Sequence, residues 1–389
     1  MTASTRAHRP GFVNPADVTA ILSSRAADYY PDWTRARVQI ETRKVIERSC
    51  SRLVHFRLQA ARVSRDVIVK LRPLNPPIAM PSEGPCWLRL CPFPPEQKLS
   101  RCEAVALSSI HQHFADSDPR FRPVRLLEYR EDWNGIVMEF AWGEGLDRRL
   151  LAAHRFGAAG SSAALATPCQ LAGAWLRRYH EMPGAFDGPE LRADRASIVQ
   201  CFNEALAFLS ETAGPCSVFS LLAERLVALA NAVLPDTLLT QRVHGDFWPG
   251  NVLVGPDAQI TVIDTFGYGA TPRYEDIAYF LVHLRAMKPQ MYTLGGWNRR
   301  EDSNAWEAAF LAGYFGEDPI PIGAVRLFEL LALLYKWASA ESVTRRTAGV
   351  HGYVKQVQLD WKRRFFRELA RSRFEAVERV VADPPGGTL

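Results

Sequence analysis

The sequence predicts an α+β chain of two lobes, a small one built on an antiparallel sheet and a larger, mainly helical one after it. Three observations carry this expectation. At 389 residues the chain exceeds what a single ordinary core organises. Between residues 45 and 71 three short runs rich in β-branched residues alternate in hydrophobicity across polar turns. From residue 165 onward helical spacing dominates, broken by two short strands.

Taken in order, residues 1–34 read as an N-terminal extension carrying one short helix, Pro15 to Tyr29. Residues 35–140 form the small lobe. Its first strands are Val45–Glu47 and Leu53–Leu58, flanking the turn Arg48-Ser49-Cys50-Ser51-Arg52, and a third is Asp66–Leu71. Residues 72–95 hold eight prolines and so form a loop or insertion rather than a long regular element. A helix over Gln97 to Phe114 follows, then strands near Val124–Tyr129 and Gly135–Phe140. Ala141-Trp142-Gly143-Glu144-Gly145-Leu146 reads as a connector, because its two glycines break any periodic pattern. Residues 141–389 then form the large lobe. Its helices are expected over Leu165–His180, Ala196–Glu211, Val218–Leu234 and through Ala305–Val381, with strands at Val252–Val254 and Ile260–Ile263.

Composition narrows the class. Hydrophobic residues at 47% and charged residues at 23% are those of an average globular chain. A net charge of +5, spread without runs, suits a small anionic ligand but not a nucleic-acid partner. The seven cysteines form no paired framework, which points to reduced thiols and a cytoplasmic setting, and Cys86 and Cys91 lack the further ligands of a zinc site. The N-terminus lacks the apolar segment of a signal peptide. No stretch reaches the roughly 20 apolar residues that span a bilayer. Leu327 to Ala340 comes nearest, and Glu329 and Lys336 mark it as a buried amphipathic helix instead.

The chemistry concentrates between Arg242 and Phe280. Asp246 and Asn251 stand five apart in a loop that Pro249 and Gly250 keep from becoming helix, and the second of two following strands delivers Asp264 at its end. Singly, each residue has an ordinary structural role as a turn or cap former. Together they match what phosphoryl transfer requires. One carboxylate orients or deprotonates the attacking hydroxyl, and a carboxylate with an amide oxygen holds Mg²⁺ against nucleotide phosphates.

The run His244-Gly245-Asp246-x-x-x-x-Asn251, then Ile263-Asp264, Gly269 and Tyr274-Glu275-Asp276-Ile277-Ala278, resembles the aminoglycoside phosphotransferase and choline kinase family. These are small-molecule kinases with a bilobal protein-kinase-like fold. The resemblance implies that Asp246 is the catalytic base, that Asn251 and Asp264 bind Mg²⁺, and that ATP, or GTP, is the donor. It also makes His244 a structural member of the loop and Asp276 its brace from the helix behind. In such folds a strand lysine holds the α/β-phosphates and is paired with a glutamate on the next helix. Lys70 and Glu103 fill those places, with Glu96 and Glu83 as alternatives for the partner. The family's lobe connector corresponds to Ile136–Leu146, where backbone groups of Glu139 to Ala141 would meet the adenine. The first turn has no glycine, so Ser49 and Ser51 are the candidates to cover the phosphates. A second departure is Thr265, where the family usually carries an aromatic that here comes one residue later, at Phe266.

The acceptor is expected to be a small molecule bearing a hydroxyl: a sugar, an amino alcohol or an aminoglycoside-like compound. From Phe280 to Leu389 there are 16 Lys+Arg against 12 Asp+Glu, an unusual balance for a pocket built for polycations. Trp142, Trp248, Tyr268, Trp297, Trp306 and Trp337 could stack on a sugar or enclose an amine, although most such residues are core. Two other readings remain: a nucleotide-binding pseudokinase without transfer activity, and a membrane-surface enzyme using the basic segment Trp361–Arg367.

Overall fold

A computed structural model describes residues 11–34, 36–48, 51–74, 98–114, 118–155, 163–183, 190–266, 269–345 and 350–383. Ser49, Tyr268, Glu83, Glu96, Cys86, Cys91 and nearly all of the proline-rich segment lie outside these residues. The described chain divides into two compact units. The first runs to Trp142 except for Pro119–Phe121; the second takes those three residues and everything from Gly143.

In the first unit, β1 (Val38–Glu47), β2 (Arg52–Ala60), β3 (Val63–Leu71), β4 (Leu126–Arg130) and β5 (Gly135–Glu139) form one antiparallel sheet in the order β1-β2-β3-β5-β4. All strands appear where alternation predicts them, and β1 begins seven residues earlier than its apolar core suggests. One face buries Val54, Phe56, Leu58, Val67, Val69, Leu71 and Val137. Helix α1 (Pro15–Tyr29) covers this face with Val18, Leu22, Ala26 and Tyr29, spaced for a single helical stripe. Asn14 caps it by accepting from the Ala16 N–H at 3.0 Å. The segment expected as an extension is therefore part of this core: a sheet face this apolar needs cover, and the α1 stripe supplies it. Arg125 fastens its end by donating to the Tyr29 carbonyl at 2.9 Å. Helix α2 (Leu99–Phe114) packs against β4 and β5.

The second unit is mainly helical. After β6 (Glu144–Gly145) come α3 (Leu146–Arg155), α4 (Ala166–His180), α5 (Arg195–Ala213) and α6 (Ser217–Val233). Strand β7 (Thr240–Arg242) pairs with β10 (Ala270–Pro272), while β8 (Val252–Val254) and β9 (Ile260–Val262) form a hairpin joined by β6. Helices α7 (Tyr274–Arg285), α8 (Lys288–Tyr292), α9 (Arg300–Phe315), α10 (Ile322–Arg345) and α11 (Val350–Ala382) complete it. Helices α4 and α9 cross where a Cβ on Gly173 would enter the Phe310 carbonyl and one on Gly313 the Gln170 carbonyl.

Helix α10 differs from expectation. It is not amphipathic, because between Leu327 and Ala338 only Lys336 reaches the surface. Its Glu329 is tolerated inside because Arg326 and Arg373 hold it at 2.7 and 2.8 Å. Among the described residues no helix is long and apolar enough to cross a membrane.

Candidate active site

The loop from Val243 to Asn251 leaves β7 and is held by its backbone before its side chains come into play. Gly245 takes φ 82°, a left-handed conformation that glycine adopts without strain. The Asp276 carboxylate, 2% exposed in the first turn of α7, accepts from the His244 N–H at 2.6 Å and the Gly245 N–H at 3.0 Å. His180 at the end of α4 completes this clamp, its Nε2 lying 3.0 Å from Asp276 and its Nδ1 2.8 Å from the Tyr314 hydroxyl on α9. Burial pushes the Tyr314 hydroxyl pKa up, so it keeps its proton. The His180 Nε2 thus faces the Asp276 carboxylate and its Nδ1 pairs with the Tyr314 hydroxyl. Phe247 anchors the loop below, fully buried and stacked on Trp175 at 5.8 Å between ring centroids.

His244 is buried, with its pKa pushed down to about 4 chiefly by that burial. It is neutral at neutral pH, and its Nδ1 accepts from the Asp246 N–H at 3.2 Å. The ring therefore orients the residue expected to act as base.

Asp246 and Asn251 meet directly. The Asn251 amide nitrogen donates to the Asp246 carbonyl at 2.9 Å and to its carboxylate Oδ2 at 3.0 Å. Tyr279, one turn along α7 from Asp276, donates its hydroxyl to the other carboxylate oxygen at 3.1 Å. Pro249–Asn251 form a tight 3₁₀ turn that delivers Asn251. The Asp264 segment is tied to the same loop by the Ile263 N–H on the Asn251 carbonyl at 3.0 Å. Asp264 itself adopts φ 61°, a left-handed conformation that costs of order 1 kcal/mol in a non-glycine residue.

This donor set suits a hard cation. With its nitrogen committed to Asp246, Asn251 has its Oδ1 left for a metal, and Asp264 adds a carboxylate. Two protein oxygens fit Mg²⁺, which keeps waters and takes phosphate oxygens for its remaining positions.

In the first unit Lys70 lies on the sheet face opposite Val69 and Leu71, and its ammonium is 2.8 Å from Glu103 Oε1. Sequence spacing had not indicated a second cation: Arg72 reaches Glu103 Oε2 at 2.6 Å. Arg72 also donates to Ser100 at 2.9 Å, and Glu103 is only 1% exposed. Ser51 is buried, its carbonyl accepting from the Arg48 N–H at 2.8 Å. The Glu139 and Phe140 N–H groups are taken by the Arg125 and Asp66 carbonyls at 3.0 and 2.9 Å. Of the aromatics, Trp306 and Trp337 are core, Trp142 is exposed, and Trp248 and Trp297 are half-buried.

Sequence reasoning missed Tyr279, His180 and Arg72. Two of them carried a usable signal. Tyr279 follows Asp276 by three on a helix, so the two share a face. Arg72 follows Lys70 by two on an extended chain, again on one face. Nothing local marks His180.

Comparison with known proteins identifies the fold and the family. Two solved structures share the fold: an ethanolamine kinase of Plasmodium vivax at 14% identity, TM-score 0.50, covering 93% of this chain and 91% of that one; and a glucosamine kinase, in complex with glucosamine, ADP and inorganic phosphate, at 16% identity, TM-score 0.50, covering 94% and 88%. The architecture is thus the protein-kinase-like one. A search of curated proteins finds no match. The model of the phosphotransferase enzyme family (APH) matches residues 53–321, well over half of the sequence, and the chain belongs to that family.

Proposed function

We propose that the protein transfers the γ-phosphate of ATP, or GTP, to a hydroxyl of a small molecule such as a sugar or amino alcohol. The observation that carries this reading is the pair of hydrogen bonds that the Asn251 amide donates to Asp246, which holds the proposed base and the proposed metal-facing oxygen together.

In this reading residues 35–140 form the nucleotide-binding lobe and residues 141–389 the catalytic and acceptor-binding lobe. Lys70, held by Glu103, meets the α/β-phosphates; Ser49 and Ser51 belong to the turn that covers them; and Glu139 to Ala141 offer backbone groups to the base. With the Glu139 and Phe140 N–H groups already committed, the Ala141 N–H and the carbonyls serve that purpose. Asn251 Oδ1 and the Asp264 carboxylate would hold Mg²⁺, which neutralises charge on the phosphate oxygens.

Asp246 accepts the acceptor's hydroxyl proton as that oxygen bonds to the γ-phosphorus and the bond from phosphorus to the β-phosphate oxygen breaks, releasing the nucleoside diphosphate. Tyr279 and Asn251 hold the carboxylate in line, while Asp276 and His180 keep the loop from shifting.

The test is incubation with γ-labelled ATP or GTP and a panel of hydroxylated metabolites, with the acceptor's mass as readout. A gain of one phosphate on an acceptor supports the reading. No thermal shift with MgATP or MgGTP and no phosphorylated product would overturn it.

A further inference from the structure

Arg72, just past the end of β3, is a buried cation to which the proposed chemistry gives no part. Its place is fixed from several sides. Its backbone N–H donates to the Asn134 carbonyl at 3.0 Å, and the Asn134 side-chain amide donates to the Pro73 carbonyl at 3.0 Å. Asn134 takes φ 44° in the turn between β4 and β5. A Cβ on Gly135 beside it would come within 3.0 Å of the Lys70 carbonyl, so strand and turn are in close contact. The guanidinium then reaches across to α2. Its Nη1 donates to the Ser100 hydroxyl at 2.9 Å and its Nη2 to Glu103 Oε2 at 2.6 Å. Ser100 donates in turn to the Asn134 carbonyl at 2.7 Å, and Arg72, Ser100 and Glu103 are all buried.

Ser100 and Glu103 stand three apart on α2, so they share a face and one planar fork spans both. That fork ties the start of α2 to the end of β3 and to the β4–β5 turn. It also divides the Glu103 carboxylate between two cations: Oε2 goes to Arg72, and Oε1 to Lys70 at 2.8 Å. The division matters because lysine is a point charge on a flexible stem, with no geometry of its own to hold it in place. A glutamate without a second partner turns with its own rotamers and carries such an ammonium with it. With Oε2 committed to Arg72, Glu103 presents one oxygen at one place, and that oxygen takes one of the three donors an ammonium carries. The aim of Lys70 is therefore set by the rigid group behind its partner.

We propose that Arg72 is a positioning residue for the nucleotide: by fixing Glu103 and the start of α2, it sets the Lys70 ammonium where the α/β-phosphates meet it. The inference rests on the phosphotransferase reading. It gives the phosphate clamp a third member, which acts only through the other two.

Wild type, R72M, R72K, K70M and R72M/K70M test it, with Kd for MgATP and for adenosine measured by titration calorimetry (MgGTP and guanosine if the wild type prefers that donor). R72M should weaken MgATP binding about tenfold, the scale of one charged hydrogen bond. Adenosine, which has no phosphate for Lys70 to meet, should stay within about twofold of wild type, whereas damage to the fold at large would weaken both ligands. In the K70M background the same arginine substitution should change MgATP affinity about threefold or less, because the group it acts through is gone. R72K keeps a charge on Glu103 without the fork and should fall between R72M and wild type. Urea unfolding checks that each variant is folded; if R72M is not, R72K with and without K70M carries the same comparison. Equal MgATP affinity in wild type and the Arg72 variants, an equal loss for adenosine, or an undiminished effect without Lys70 would overturn the inference and leave the phosphotransferase reading intact. A wild type that binds neither nucleotide and phosphorylates no hydroxylated metabolite would overturn both.

Discussion

Replacing Asp276 with asparagine tests the clamp under the catalytic loop. Its carboxylate serves three donors: the His244 and Gly245 N–H groups at 2.6 and 3.0 Å and His180 at 3.0 Å. Oδ2 takes the first and third, so an asparagine would best place its single carbonyl oxygen there. Its NH₂ would then point at the Gly245 N–H, two donors face to face. A hydrogen bond to a charged group contributes about 1.5–3 kcal/mol, and a buried unsatisfied N–H costs about 1–3 kcal/mol. Since Asp276 is 2% exposed, solvent cannot repair the loss, and D276N should be less stable by about 3 kcal/mol in urea unfolding. Because Gly245 precedes Asp246 directly, kcat should fall more than KM for the acceptor rises. A variant within about 0.5 kcal/mol of wild type, the range of an ordinary surface change, would refute the clamp.

Glu103 is the shared anion of Lys70 and Arg72. E103Q leaves two buried cations facing an amide, so it should cost about 3–5 kcal/mol and weaken MgATP binding; an unmoved unfolding midpoint would contradict this. At the crossing of α4 and α9, G173A forces the helices apart and should lose about 1–3 kcal/mol by calorimetry, whereas a neutral result would mean the contact is loose. His244 gives a pH signature. Its folded pKa, about 4, lies below the unfolded value near 6.5, so its contribution is complete above pH 6.5 and is lost as pH falls toward 4. The difference in stability between wild type and H244Q should therefore shift against wild type by up to about 3 kcal/mol across that window. Parallel pH profiles for the two proteins would show that the ring is not shut away from protons.

The parts of the site that could be read from the sequence are those set by short spacing. Asp246 and Asn251 lie five apart in one turn, Asp264 ends a strand, and Lys70 falls on the polar side of an alternating strand, so local geometry determines each. The residues that were missed act across long separations. His180 reaches Asp276 from 96 positions away, and Arg373 of α11 reaches Glu329 of α10. No periodicity encodes such meetings, because helix packing creates them. Helix α10 misled for the same reason. Glu329 looked like the mark of a solvated face, whereas Arg326 and Arg373 neutralise it inside the core. In α1 the apolar stripe was visible but its destination was not, since a stripe does not state which sheet it will cover.

The central claim is that Asp246 performs the proton transfer at a site that binds its nucleotide independently. Its most direct measurement compares Asp246→Ala with wild type for phosphate gained by the acceptor and for the MgATP-dependent thermal shift. Transfer should fall about 100- to 10,000-fold with the thermal shift retained. Undiminished transfer by the alanine variant would contradict the account.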